Sequence, residues 1–102
     1  MIAHHPLLGP QGGRHNPTIG GDAAFAALAA AGAHAVISGH VHVPFDERRT
    51  SGGQAMRTIG TGTLSTRLRH DAPASWRVID CEAGGVIDTH LRLVGTTAPP
   101  VI

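Results

Sequence analysis

The chain has 102 residues and a net charge of +1, with eight arginines against seven acids and no lysine. That length fits one small domain or a piece of a larger one, and so even a charge balance offers no basic field for a nucleic-acid groove and no acidic tail. The single cysteine, Cys81, excludes an internal disulfide and a Cys-Cys zinc motif. No signal-peptide pattern follows Met1 and no apolar run nears the roughly 20 residues that span a bilayer, so a cytoplasmic location without a membrane partner is expected.

The first element is short. Ile2-Ala3 runs into His4-His5-Pro6, so a strand is expected to end at His4. Only three residues precede His4, against the usual five or six of a strand. Either the strand is unusually short or the chain begins partway through it, a local hint of truncation. Residues 9–21, with five glycines and two prolines, read as a long surface loop. A helix is expected next, with Asp22 as N-cap, Ala23 to Ala31 as its body and Gly32 at the C′ position. Phe25, Leu28 and Ala29 give it one narrow apolar stripe.

Ala35-Val36-Ile37 reads as a buried strand that ends at Ser38-Gly39, completing half of a βαβ unit. Gly52-Gly53 precedes a β-like stretch, Ala55 to Ile59. Trp76 to Cys81 and Val86 to Leu93 then form a hairpin around Gly84-Gly85. Cys81, in phase with Ile79, is expected in the core. The class is α/β with an α+β tail: one main helix, then mostly antiparallel strands.

Two segments carry chemistry: Ala3-His4-His5-Pro6 and Ile37-Ser38-Gly39-His40-Val41-His42-Val43-Pro44. In each, an apolar strand meets histidine and then proline, which cannot donate to a ladder and ends the strand. Histidines at such strand ends lie at the carboxyl edge of the sheet, where α/β folds bind ligands. His40 and His42 are two apart, so on an extended segment they face the same side and can serve one metal or two adjacent ones. Gly39 allows a sharp backbone exit and keeps bulk away from them. His15, in the glycine-rich loop, is a candidate substrate contact. His34, His70 and His90 read as surface residues, and Arg67 and Arg69 as solvated.

The strings HHPL and VISGHVHVPF, with a helix between, resemble the second half of the calcineurin-like metallophosphoesterases, as do Gly60-Thr61-Gly62-Thr63 and PASWRVIDC. The resemblance runs from Ile2 to about Leu93. It implies the C-terminal portion of a four-layer α/β/β/α sandwich over residues 1–98, with 99–102 a tail. It implies hydrolysis of phosphomonoesters or phosphodiesters at two divalent ions (Mn, Fe or Zn) that clamp the phosphoryl oxygens. His4 and His40 would then share one metal and His42 would turn to the second. His5 matches a more variable position, with Gly39 beside the site.

The N-terminal motifs of that family, Asp-x-His, Gly-Asp-x-x-Asp and Gly-Asn-His, do not occur here. Three imidazoles can hold one ion, but two adjacent dications need anionic ligands. The expectation is therefore a fragment that contributes histidine ligands, has negligible dinuclear activity alone, and has a complementing N-terminal half as partner beside its phosphate-ester substrate. Two alternatives stand: a truncated, non-catalytic metal-binding half-domain, and a mononuclear three-histidine zinc site.

Overall fold

A computed structural model describes residues 1–11, 18–64, 73–85 and 87–94. His15, Arg67, Arg69, His70, the middle of the glycine-rich loop and the 99–102 tail lie outside the described residues. The elements are β1 (Ile2–Ala3), α1 (Gly21–Ala30), β2 (Ala35–Ser38), β3 (Pro44–Ser51), β4 (Gln54–Thr61), β5 (Ser75–Cys81) and β6 (Ile87–Leu93). The fold is α+β, with one helix and two sheets among the described residues.

The first sheet has the order β1-β2-β4-β3. β1 and β4 run parallel to β2, and β3 is antiparallel to β4. The parallel core is the expected βαβ geometry, with α1 as the crossover. β3 was not foreseen, because Pro44 was read as ending an element. It begins one instead. Proline is tolerated at the first residue of an edge strand, and β3 is the edge. Its sequence, PFDERRTS, is charged and poor in β-formers, a composition that blunts an open edge against further pairing.

Ser51 pairs with Gln54, so Gly52-Gly53 is a two-residue hairpin loop with φ of 56° and 80°. Positive φ at both central positions is the type I′ geometry that suits strand twist, and glycine adopts it without strain. The second sheet is the expected hairpin, β5 antiparallel to β6 with Cys81 opposite Ile87.

The helix starts one residue before Asp22. Its N-cap is Gly20, with φ 77° and no side-chain cap, and Asp22 lies in the first turn. There a carboxylate favours the helix dipole without capping. Gly21 packs so close to Leu7 that a Cβ would fall 1.9 Å from the Leu7 carbonyl oxygen. The C-terminus matches expectation. Ala33 N–H donates to Leu28 O and Gly32 N–H to Ala29 O, 3.0 and 3.1 Å, a Schellman closure around Gly32 at φ 84°.

Register assigns the faces of the first sheet. Val36, Met56 and Thr58 share one face with Phe45 and Arg49, while Ala35, Arg57 and Ile59 share the other with Asp46 and Arg48. On the first face Phe25 of α1 packs with Val36 and Met56, flanked by Leu7, Leu8, Leu28 and Ala33. Burying Phe25 or Met56 contributes about 1.5–3 kcal/mol each.

The hairpin β5–β6 meets the second face through a polar relay. Arg77 donates to Thr89 Oγ1 (2.9 Å), Thr89 Oγ1 donates to Asp46 Oδ2 (2.9 Å), and Arg57 grips the same carboxylate at 3.2 and 2.5 Å. Partial burial alone would raise the Asp46 pKa. The hydrogen bonds from Arg57 and Thr89, with the Arg57 and Arg77 charges, outweigh it and hold the carboxyl below its ordinary value. Burial also lowers the Arg77 pKa, opposed by Asp46.

One sequence expectation changes here. Cys81 is exposed: it is the last residue of β5, in a sheet that has two strands among the described residues. Gly60, in the Gly60-Thr61-Gly62-Thr63 string, belongs to β4, and its missing Cβ leaves room for the ring of its cross-strand partner Phe45. No helix among the described residues is long and apolar enough to cross a membrane.

Candidate metal centre

Ile2 pairs with Ile37 and Ala3 with Ser38, so β1 and β2 end side by side and pointing the same way. Gly39 N–H donates to His4 O at 3.0 Å, one step beyond the ladder. That pairing sets the first histidine segment directly beside the second at the carboxyl edge of the sheet. Below it, buried Pro6 ends the first segment, and Thr18 Oγ1 donates to Pro6 O at 2.6 Å.

Three histidines converge there. The ring centroids of His4 and His5 are 4.7 Å apart, those of His4 and His40 5.1 Å, and those of His5 and His40 4.0 Å. One ring nitrogen from each lies within 4.8 Å of the others, and all three residues are exposed. His4 and His5 are consecutive, so on a straight strand they would face opposite ways; the chain bends at both residues, which lets both rings meet His40.

The second segment is not extended. His40 and His42 both have positive φ, 68° and 61°. Val41 N–H donates to Gly39 O at 2.8 Å, so His40 is the centre of a three-residue γ-turn, which at positive φ is rare and strained. The same-side argument for residues two apart therefore does not apply, and His42, half-buried, is outside the three-ring group. The strain falls on the histidines and not on Gly39, where a Cβ would meet only His4 O and Thr61 Oγ1 at an ordinary 3.8 Å. Left-handed backbone at a non-glycine residue costs on the order of 1–3 kcal/mol and concentrates at functional sites.

The donor set suits a borderline transition ion: imidazole nitrogens favour zinc, iron, nickel or copper, and manganese when carboxylates join. Zinc–nitrogen bonds of about 2.0–2.1 Å at a tetrahedral angle place nitrogens roughly 3.3 Å apart, so the rings must close by up to about 1.5 Å. Exposed side chains on loops reach that by small χ rotations. No carboxylate joins the group among the described residues, so its ligands are neutral. The residues fit one divalent ion with coordination positions to spare.

Of the residues singled out in the sequence, His4, His5 and His40 are brought together with Gly39 beside them, and His42 stands apart. His5 joins the group although its position in the resemblance is the variable one. Its signal was present, since consecutive histidines before a proline mark a bend at which both can turn inward. No protein-family model matches the chain, and no curated protein or solved structure matches it.

Proposed function

We propose that this chain supplies the imidazole ligands of a divalent-metal centre in a metal-dependent phosphoesterase, as the C-terminal portion of a four-layer sandwich domain. The observation that carries the reading is the convergence of His4, His5 and His40 where two adjacent parallel strands end. The motifs HHPL and GHVH resemble the calcineurin-like metallophosphoesterases in the same places, and that resemblance alone supplies the reaction class.

Bound there, a divalent ion would act as a Lewis acid on the phosphoryl oxygens of a phosphate ester. His4 and His40 would hold it from the two strand ends, with the γ-turn at His40 fixing the approach of the second ring. His42 is the residue through which a second ion would be reached. Neutral imidazoles do not offset two dications, so carboxylate ligands must come from outside the described residues. The chain alone is therefore expected to bind one ion and to show negligible turnover of a nitrophenyl phosphodiester.

A second reading, a mononuclear three-histidine site, is favoured by the place of His5 in the group and of His42 outside it. Calorimetric titration with zinc and manganese separates the two. Loss of binding in His5→Ala selects the mononuclear site; binding that is lost in His40→Ala and unchanged in His5→Ala selects the phosphoesterase arrangement. Unchanged binding in both His40→Ala and His42→Ala removes the site assignment. Rapid turnover of the phosphodiester by the chain with manganese would show that the ligand set is already complete.

A further inference from the structure

A second cluster of polar side chains lies at the opposite end of β2. His34, Arg48, Ala55, Met56, Arg57 and Gly85 line an open cleft of about 130 Å³. The geometry points to a binding site for one small oxyanion, of the phosphate type, between the first sheet and the turn of the β5–β6 hairpin.

Charge is the first reason. Arg48 and Arg57 are direct cross-strand partners on β3 and β4, and like charges directly opposite each other destabilise a sheet. Asp46 answers Arg57 through two hydrogen bonds. Among the described residues no carboxylate pairs with Arg48. Arg48 thus brings to the cleft lining a guanidinium beside the one that Asp46 holds.

Placement is the second. Arg57 N–H donates to His34 O at 3.0 Å, which sets His34 next to the arginine row. Gly85, at φ 82°, lies so close that a Cβ would fall 2.3 Å from His34 Nε2. The imidazole and the hairpin turn thus close one side of the cleft and the arginines the other. Guanidinium forks match phosphate and carboxylate oxygens, and the imidazole adds a ring N–H donor.

Size sets the ligand class. At roughly 30 Å³ per water, the cleft holds about four waters, room for one phosphoryl group but below the roughly 300 Å³ at which pockets for larger ligands begin. The site is separate from the histidine cluster. Four residues of β2, at about 3.3 Å each, stand between His34 and the Gly39-His40 turn. An anion here would tie the hairpin turn to the first sheet and stabilise the packing of the two sheets.

Inorganic phosphate is the probe, titrated into chelator-treated full chain by calorimetry and followed by thermal unfolding at constant ionic strength, with chloride as control. One saturable site is expected, with a rise in Tm that chloride does not reproduce. Arg48→Ala and Arg48→Gln should each weaken binding at least tenfold, Arg48→Lys less, and His40→Ala not at all. Arg48 is exposed, and far-UV circular dichroism checks that each variant folds. Wild-type affinity in the Arg48→Ala and Arg48→Gln proteins overturns the assignment. So does an equal effect of chloride, no saturable binding up to tens of millimolar, or loss of binding in His40→Ala.

Discussion

Replacing His42 with glycine should leave the protein more stable than replacing it with alanine. His42 has φ of 61°. Alanine keeps the Cβ that makes this region unfavourable by roughly 1–2 kcal/mol, whereas glycine has none. Glycine also gains more freedom in the unfolded chain, which takes back roughly 0.5–1 kcal/mol. The net is about 0.5–1 kcal/mol in favour of His42→Gly over His42→Ala, a Tm difference of a few degrees for a domain of this size. Both variants remove the imidazole and whatever it contacts, so their difference isolates the backbone. Urea unfolding followed by far-UV circular dichroism gives both stabilities on one scale. Gly52→Ala, at φ 56° in the β3–β4 hairpin, should lose stability by a similar amount and serves as the control. If His42→Gly is no more stable than His42→Ala while Gly52→Ala is destabilised, the backbone at His42 is not strained and the reasoning from its positive φ fails.

Asp46→Asn should destabilise the protein by up to about 1 kcal/mol, because it weakens the solvent-screened grip of Arg57 and leaves Arg77 partly buried beside a neutral amide. The Asp46 pKa is lower in the folded state, so its stabilisation is full above the unfolded value near 3.8 and is lost as pH falls through the lower folded value. Acid unfolding of wild type and Asp46→Asn should therefore converge below about pH 4; curves that stay parallel there would contradict the relay. Gly21→Ala should destabilise despite a helix-propensity gain of about 1 kcal/mol, since its Cβ would meet the Leu7 carbonyl oxygen at 1.9 Å; a more stable variant in thermal denaturation would refute that close approach. Cys81 is exposed, so a thiol reagent should label the native protein with one equivalent, without denaturant. Labelling only after unfolding would return it to the core.

The helix, the buried strand Ala35–Ser38 and the last hairpin were legible because each is written in local chemistry. Alanine density, the C′ glycine Gly32, a short apolar run and a glycine pair at a turn are all short-range signals. β3 was not legible, since its charged residues and leading Pro44 argue against a strand until the partner β4 is known. The Asp22 cap was misassigned for a related reason. Gly20 starts the helix by adopting a left-handed conformation, and a composition rule that favours Asp does not see it. At the site, strand-end positions set His4 and His40 at the carboxyl edge of the sheet, and the family resemblance paired them. Period-two reasoning could not reveal that His40 and His42 sit in turns, nor that the bend at residues 4–5 brings His5 to the ring cluster.

The most direct test is a calorimetric titration of zinc into the intact chain beside the His4→Ala/His40→Ala double variant, with circular dichroism to check that both fold. One equivalent should bind to the wild type, with affinity at least about tenfold weaker in the double variant, because two of three ligands are gone. No stoichiometric binding by the wild type, or equal binding by the folded double variant, would show that the three converging histidines are not a metal centre.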